Sequence, residues 1–170
     1  MARNAWLSGE SQDAGGGDRQ TRWLTPPDIV RPLGRFNLDP CGAPGHRLAD
    51  HTYLLEDGAD GLRDEWFGRV WLNPPYGREA EPFLRRMVEH GCGTALIFAR
   101  TETASFHRNV WLGASGVLFL KGRISFLTPD GVRAKANAGA SSCLVAYGDY
   151  DAGVLSQVPT PGHFVPLAPN

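Results

Sequence analysis

A chain of 170 residues that is 42% hydrophobic and 21% charged has the length and makeup of one globular domain with a real core. Its net charge of −1 excludes a global electrostatic pull on nucleic acid, so such a partner has to be held by a local basic face. Cys41, Cys92 and Cys143 lack CxxC spacing, the five histidines form no HxxxH or Cys/His cluster, and no signal peptide or long apolar run occurs. These features argue against a disulfide framework and a metal site, and lead us to expect a soluble cytoplasmic protein.

In chain order, residues 1–20 pass from Trp6-Leu7 into Gly15-Gly16-Gly17 and read as a flexible arm. The ordered domain is expected over 21–155, with a Pro-rich tail over 156–170. Thr25-Pro26-Pro27-Asp28 has the form of a helix start, with Thr25 as N-cap and proline at the first helical position. A short helix over 29–33 ends at Gly34. Phe36-Asn37-Leu38-Asp39 alternates apolar and polar residues as a strand does and stops at Pro40. Residues 51–55 form a second strand, closed by the acidic turn over 56–61. Val70-Trp71-Leu72 is a third strand, and Phe83, Leu84, Met87 and Val88 recur at helical spacing over 79–90. Further strands are expected over 94–98, 117–120, 124–127 and 143–147, and a helix over 105–112. Alternating strands and helices predict an α/β fold, a mostly parallel sheet flanked by helices.

The chemistry gathers at the ends of these strands. Asn73-Pro74-Pro75-Tyr76 follows the third strand, and two prolines cannot continue a ladder. The chain leaves the sheet there in a stiff turn that brings the Asn73 side-chain carbonyl close to the Pro74 backbone carbonyl. Open α/β sheets bind ligands at that carboxyl edge. Two aimed carbonyls beside the ring of Tyr76 make a receptor for a planar group bearing an NH₂, so Asn73, Pro74, Pro75 and Tyr76 are the candidate catalytic residues. Asp39-Pro40-Cys41 ends the first strand in a small-residue loop that a ligand can approach, with an acid to accept from an amine or hydroxyl. Glu56, Asp57 and Asp60 offer acids after the second strand, where one commonly holds ribose hydroxyls. No phosphate-binding Lys/Ser pair accompanies them, which disfavours a nucleoside triphosphate. Lys121, Arg123, Arg133 and Lys135 are candidate phosphate contacts, whereas Arg85 and Arg86 read at least as well as a solvated helix face. In Arg100-Thr101-Glu102-Thr103, the threonines read equally as pocket lining or as helix caps.

Taken in order, these segments resemble the phage-type DNA N6-adenine methyltransferase (Dam-type) family. The resemblance is carried by Trp23-x-Thr25-Pro26-Pro27, Phe36-Asn37-Leu38-Asp39-Pro40-Cys41, Asp60-Gly61-Leu62 with Trp66, Val70 through Gly77, and Gly122-Arg123-Ile124-Ser125-Phe126. It implies a Rossmann-like class I methyltransferase fold, S-adenosylmethionine as methyl donor and the amine of a flipped adenine in duplex DNA as acceptor. On that reading Thr25, Pro26, Asp39, Pro40, Cys41, Asp57 and Asp60 face the cofactor. Two departures stand out: the first loop reads Cys41-Gly42-Ala43-Pro44 rather than FxGxG, and Asn73 stands where many amine methyltransferases carry Asp. The same tetrapeptide occurs in enzymes that methylate RNA bases or protein glutamine, and a fold that keeps binding without catalysis is a further alternative. With no separate recognition domain, the expected state is a monomer or a homodimer.

Overall fold

The computed structural model describes residues 24–134 and 138–168. The arm expected over 1–20, Trp23 and Lys135 lie outside the described residues. Strands β1 (Leu38–Asp39), β2 (His51–Thr52), β3 (Val70–Leu72), β4 (Gly93–Phe98), β5 (Gly116–Leu120), β6 (Ser142–Tyr147) and β7 (Gly162–Pro166) form one sheet in the order β2-β1-β3-β4-β6-β5-β7. The pairs β2/β1, β1/β3 and β3/β4 are parallel, whereas β4/β6, β6/β5 and β5/β7 are antiparallel. Two antiparallel steps return β5 to the direction of the parallel four, so β1 to β5 all end at one edge. The α/β, Rossmann-like expectation holds. The chain steps from β1 outward to β2, then back across to β3, and this reversal opens the ligand crevice at the carboxyl end of β1.

Helices α1 (Pro27–Val30), α2 (Ala80–His90), α3 (Ala104–Phe106) and α4 (Asp149–Gln157) cover the two faces. Period-two alternation sends Val70, Leu72, Ala95, Cys143 and Val145 to one face, where Phe83, Leu84 and Met87 of α2 pack on them. Trp71, Leu96, Leu144 and Ala146 go to the other, against Val30 and Leu33 and against Leu155 of α4. Burial on both sides explains why the strands read as continuous apolar runs. Gly91 ends α2 in the left-handed conformation at φ 69°, the usual stop for a helix.

Several elements differ from expectation. The second strand ends at Thr52, and Leu55–Asp57 turn into a 3₁₀ helix. The segment 124–127 is held by isolated bridges, Leu127 to Leu24 and to Arg133, while Ile124 and Phe126 point into the core. The loop after it contributes a core residue, Ala138. The helix expected over 105–112 is α3 followed by a π-helical turn, His107–Trp111. Residues from 156 onward, expected as a Pro-rich tail, carry the end of α4 and the edge strand β7. An edge strand tolerates Pro166, and Gly162 lets β7 lie against the Phe119 carbonyl, 2.4 Å from where a Cβ would stand. Helix α4 is anchored by a buried ion pair, Arg69 to Asp151 at 2.8 Å, which Thr94 joins at 2.6 Å. Among the described residues no helix is long and apolar enough to cross a membrane, and all three cysteines are free.

Candidate active site

Leu72 closes β3, and Asn73 leaves the sheet at the shared carboxyl edge. The Asn73 Nδ2 donates to Thr25 Oγ1 at 3.0 Å, and its Oδ1 is buried with no partner. The amide is therefore oriented by its nitrogen while its carbonyl is left to accept. A buried acceptor without a bond costs about 1–3 kcal/mol, a cost that a donor from a bound ligand or a water would offset. Thr25, expected as the N-cap of α1, does other work. Pro26 occupies the cap position without a side-chain bond, and the Thr25 hydroxyl, in a residue only 2% exposed, holds Asn73. Burial lowers the His46 pKa, and the nearby Thr25 backbone opposes that shift.

This arrangement yields a direct expectation. Thr25→Val keeps the shape but removes the acceptor, freeing the amide to rotate. Turnover should fall about tenfold, roughly 1.4 kcal/mol in the barrier, with the melting temperature little changed and Thr25→Ser restoring most of the rate. An unchanged rate for Thr25→Val would show that Asn73 needs no support.

Tyr76 lies in an aromatic cluster. Its ring stacks on Phe98, with centroids 4.3 Å apart and planes 9° from parallel, and Phe126 stands nearly perpendicular at 6.0 Å. The Tyr76 hydroxyl is buried without a partner, and burial raises its pKa. Phe98 is the residue that sequence reasoning passed over. Its signal was available: it is the last residue of the strand expected over 94–98, at the edge where ligands bind.

Asp39 ends β1 and is 4% exposed. Burial pushes its carboxyl up to about 7, against the opposing bond its Oδ1 accepts from the Cys41 N–H at 3.0 Å. Burial and the neighbouring Asp39 carboxylate raise the Cys41 thiol well above its usual range. The loop is tightly built. A Cβ on Gly42 would meet Thr52 Cγ2 at 1.9 Å, and one on Gly61 would meet the Pro40 carbonyl at 2.1 Å. Beside it opens a cavity of about 480 Å³ lined by Ala43, His46, Thr52 and Leu54 among others. Two of these carry buried polar atoms without partners, His46 Nε2 and Thr52 Oγ1. A cavity beside a loop that starts from a buried acid fits a polar nucleoside ligand.

Of the three acids named after β2, Asp57 and Asp60 have different surroundings. Asp60 serves its own turn: Oδ1 accepts from the Leu62 N–H at 2.9 Å, and Oδ2 lies 3.5 Å from Arg63. Asp57 ends its 3₁₀ helix exposed. Thr103 caps α3, accepting from the Phe106 N–H at 3.2 Å, so the cap reading holds there. Arg86 is committed to packing, donating to the Asp64 and Gly61 carbonyls and lying over Trp66, and Arg85 pairs with Glu81.

The basic residues come to the same edge as Asn73. Lys121 and Arg123 follow the end of β5 around Gly122 and are exposed, with Arg123 reaching the Ala138 carbonyl at 3.5 Å. Arg133 lies in a hairpin turn, where Gly131 takes φ 79° and the Thr128 carbonyl accepts the Gly131 N–H at 2.8 Å. That hairpin is tied through Leu127 to Leu24, next to Thr25, and Arg133 meets Asp28 at 3.2 Å in an exposed pair. The acceptor, the aromatic cluster and the described cations thus share one edge.

A comparison with known families covers most of the chain. A family model described as DNA N-6-adenine-methyltransferase (Dam) matches residues 17–159, nearly the whole described domain. No curated protein and no solved structure matches the chain. With Asn-Pro-Pro-Tyr, the acid-ended first strand and the Rossmann-like sheet all lying within the matched span, the chain belongs to the DNA N-6-adenine-methyltransferase (Dam) family of enzymes.

Proposed function

We propose that this methyltransferase uses S-adenosylmethionine and acts on the N6 amine of an adenine turned out of duplex DNA, with Asn73 and Pro74 holding that amine. The observation that carries this reading is the Asn73 carbonyl, buried, unpartnered and oriented from behind by Thr25. When bound, S-adenosylmethionine supplies an electrophilic methyl group. The residues of the chain supply position. The adenine amine is a poor nucleophile because its lone pair is delocalised into the ring. Bonds from its two N–H groups to Asn73 Oδ1 and the Pro74 carbonyl favour a more tetrahedral nitrogen and aim the lone pair at the methyl. Neither acceptor titrates, so positioning and electrostatics carry the rate without a strong base. Tyr76 gives the base a stacking face once it leaves the helix. Asp39, the Pro40–Cys41 loop and Asp57 would hold the cofactor, with the neighbouring cavity lined in part by His46 and Thr52 taking its nucleoside.

Lys121, Arg123 and Arg133, with Lys135, serve as phosphate contacts on this reading. Arg133→Ala should then weaken DNA binding evenly across sequences and reduce the salt slope by about 1. Asp28→Ala, which frees Arg133 from its pair, should strengthen binding. An unaltered slope would move the DNA path elsewhere. The function itself is tested by offering labelled S-adenosylmethionine with unmodified DNA, RNA and a glutamine-bearing peptide in parallel. Label entering DNA alone supports the reading, and label entering RNA or peptide in preference overturns it.

A further inference from the structure

The proposed function asks Tyr76 to offer a free face to a base, yet that face has an occupant. At 4.3 Å and 9° the Tyr76 and Phe98 rings are in contact, and no base fits between them. Phe126 stands edge-on to Tyr76, and both the Asn73 Oδ1 and the Tyr76 hydroxyl are sealed from solvent as well as unpartnered. The receptor is thus assembled but closed. Phe98 is placed to move. It is the last residue of β4, half-buried, and the chain turns sharply after it, with the Arg100 N–H bonding back to the Phe98 carbonyl at 2.8 Å. Its inner neighbours on the strand, Leu96 and Ile97, are firmly buried, whereas its own ring lies at the rim.

We infer that Phe98 is a specificity-determining gate that takes the place of the target base: in the free enzyme its ring covers the stacking face of Tyr76, and an adenine is admitted by exchanging with it. The inference rests on the reading of Asn73 and Tyr76 as the adenine receptor. Its physical logic is competitive. A base that only stacks replaces one ring with another and gains little. An adenine also satisfies the sealed Asn73 carbonyl, so it can displace Phe98 where a thymine, which has no exocyclic amine, cannot. Because the open state is a minor one, apparent affinity for the base is reduced by the fraction open.

The test compares binding of a labelled oligothymidine with the same strand carrying one central deoxyadenosine, by fluorescence anisotropy. A single strand needs no flipping, so the difference isolates the receptor. In Phe98→Leu and Phe98→Ala, the gain from the single adenine should rise at least about threefold over the wild type. Melting temperatures identify any variant that fails to fold, and Phe98→Leu, which keeps an apolar residue at the rim, is the safer of the two. A wild-type preference for adenine that these folded variants leave unchanged or weaken would overturn the gate and make Phe98 a support for Tyr76. If neither wild type nor variants prefer the adenine strand, the adenine receptor itself fails, and the gate with it.

Discussion

Asn73→Ala should lower turnover at least a hundredfold, about 2.7 kcal/mol in the barrier, while leaving the fold and cofactor affinity nearly unchanged. The fold should survive because the local backbone is fixed by Pro74 and Pro75 and by the end of β3, not by the Asn73 side chain. The bond lost in the ground state is one donation to Thr25, and the carbonyl has no partner to lose. The expected cost therefore falls on the reaction. The size follows from the number of contacts: removing one aimed hydrogen-bonding group from a preorganised site typically costs about 10²–10³ in turnover. Asn73→Asp is the informative companion. It keeps an acceptor but loses the donation to Thr25, so it should retain more activity than Asn73→Ala and benefit less from Thr25.

Asp39→Asn should produce two effects of opposite sign. Cofactor affinity should fall at least about tenfold, roughly 1.4 kcal/mol, if Asp39 faces the ligand as proposed, since the substitution puts an amide in place of an acid. Stability should rise at alkaline pH. Burial moves the Asp39 carboxyl from 3.8 up to about 7, so the folded state binds its proton more tightly than the unfolded chain does. The stabilising effect of that proton is complete below pH 3.8 and is lost as pH rises through about 7. Above that, the buried charge destabilises the fold by roughly 4 kcal/mol. The substituted amide cannot ionise, and its carbonyl can still accept the Cys41 N–H. The variant should thus melt higher than wild type at pH 8 and about equally near pH 4. Melting curves across that range, with calorimetric titration of S-adenosylmethionine at pH 8, check both halves. A variant that is stabilised at pH 8 and binds the cofactor normally would mean that Asp39 faces something else.

The placement of Asn-Pro-Pro-Tyr at the sheet edge was legible because two prolines have few structural options after an apolar strand. Strands β3 to β6 were legible for a similar reason, since burial on both faces leaves uninterrupted apolar runs. What escaped was the long-range pairing. Thr25 and Asn73 are 48 residues apart, and Thr25 followed by two prolines satisfies a helix-cap pattern equally well. Only the fold shows that its hydroxyl turns away from α1. Asp60 carried the opposite ambiguity: an acid after β2 suits a ribose, yet its carboxylate is engaged within its own turn. Helix α4 was not foreseen: Gly148 and Gly153 weaken a helical pattern, and its anchor is the distant Arg69. Strand β7 was masked by Pro161 and Pro166, which an edge position accepts. Phe98 looked like an ordinary strand end, and its contact with Tyr76 depends on β3 and β4 being neighbours.

Every role proposed for the site depends on the Asn73 carbonyl holding an adenine amine, and one measurement reaches that point directly. Unmodified DNA is incubated with methyl-labelled S-adenosylmethionine and either wild-type enzyme or Asn73→Ala, then digested to nucleosides and resolved. Label is expected in N6-methyladenine alone with the wild type, and at a rate at least about a hundredfold lower with the variant. Label in a cytosine, or an equal yield of N6-methyladenine from Asn73→Ala, would contradict that role.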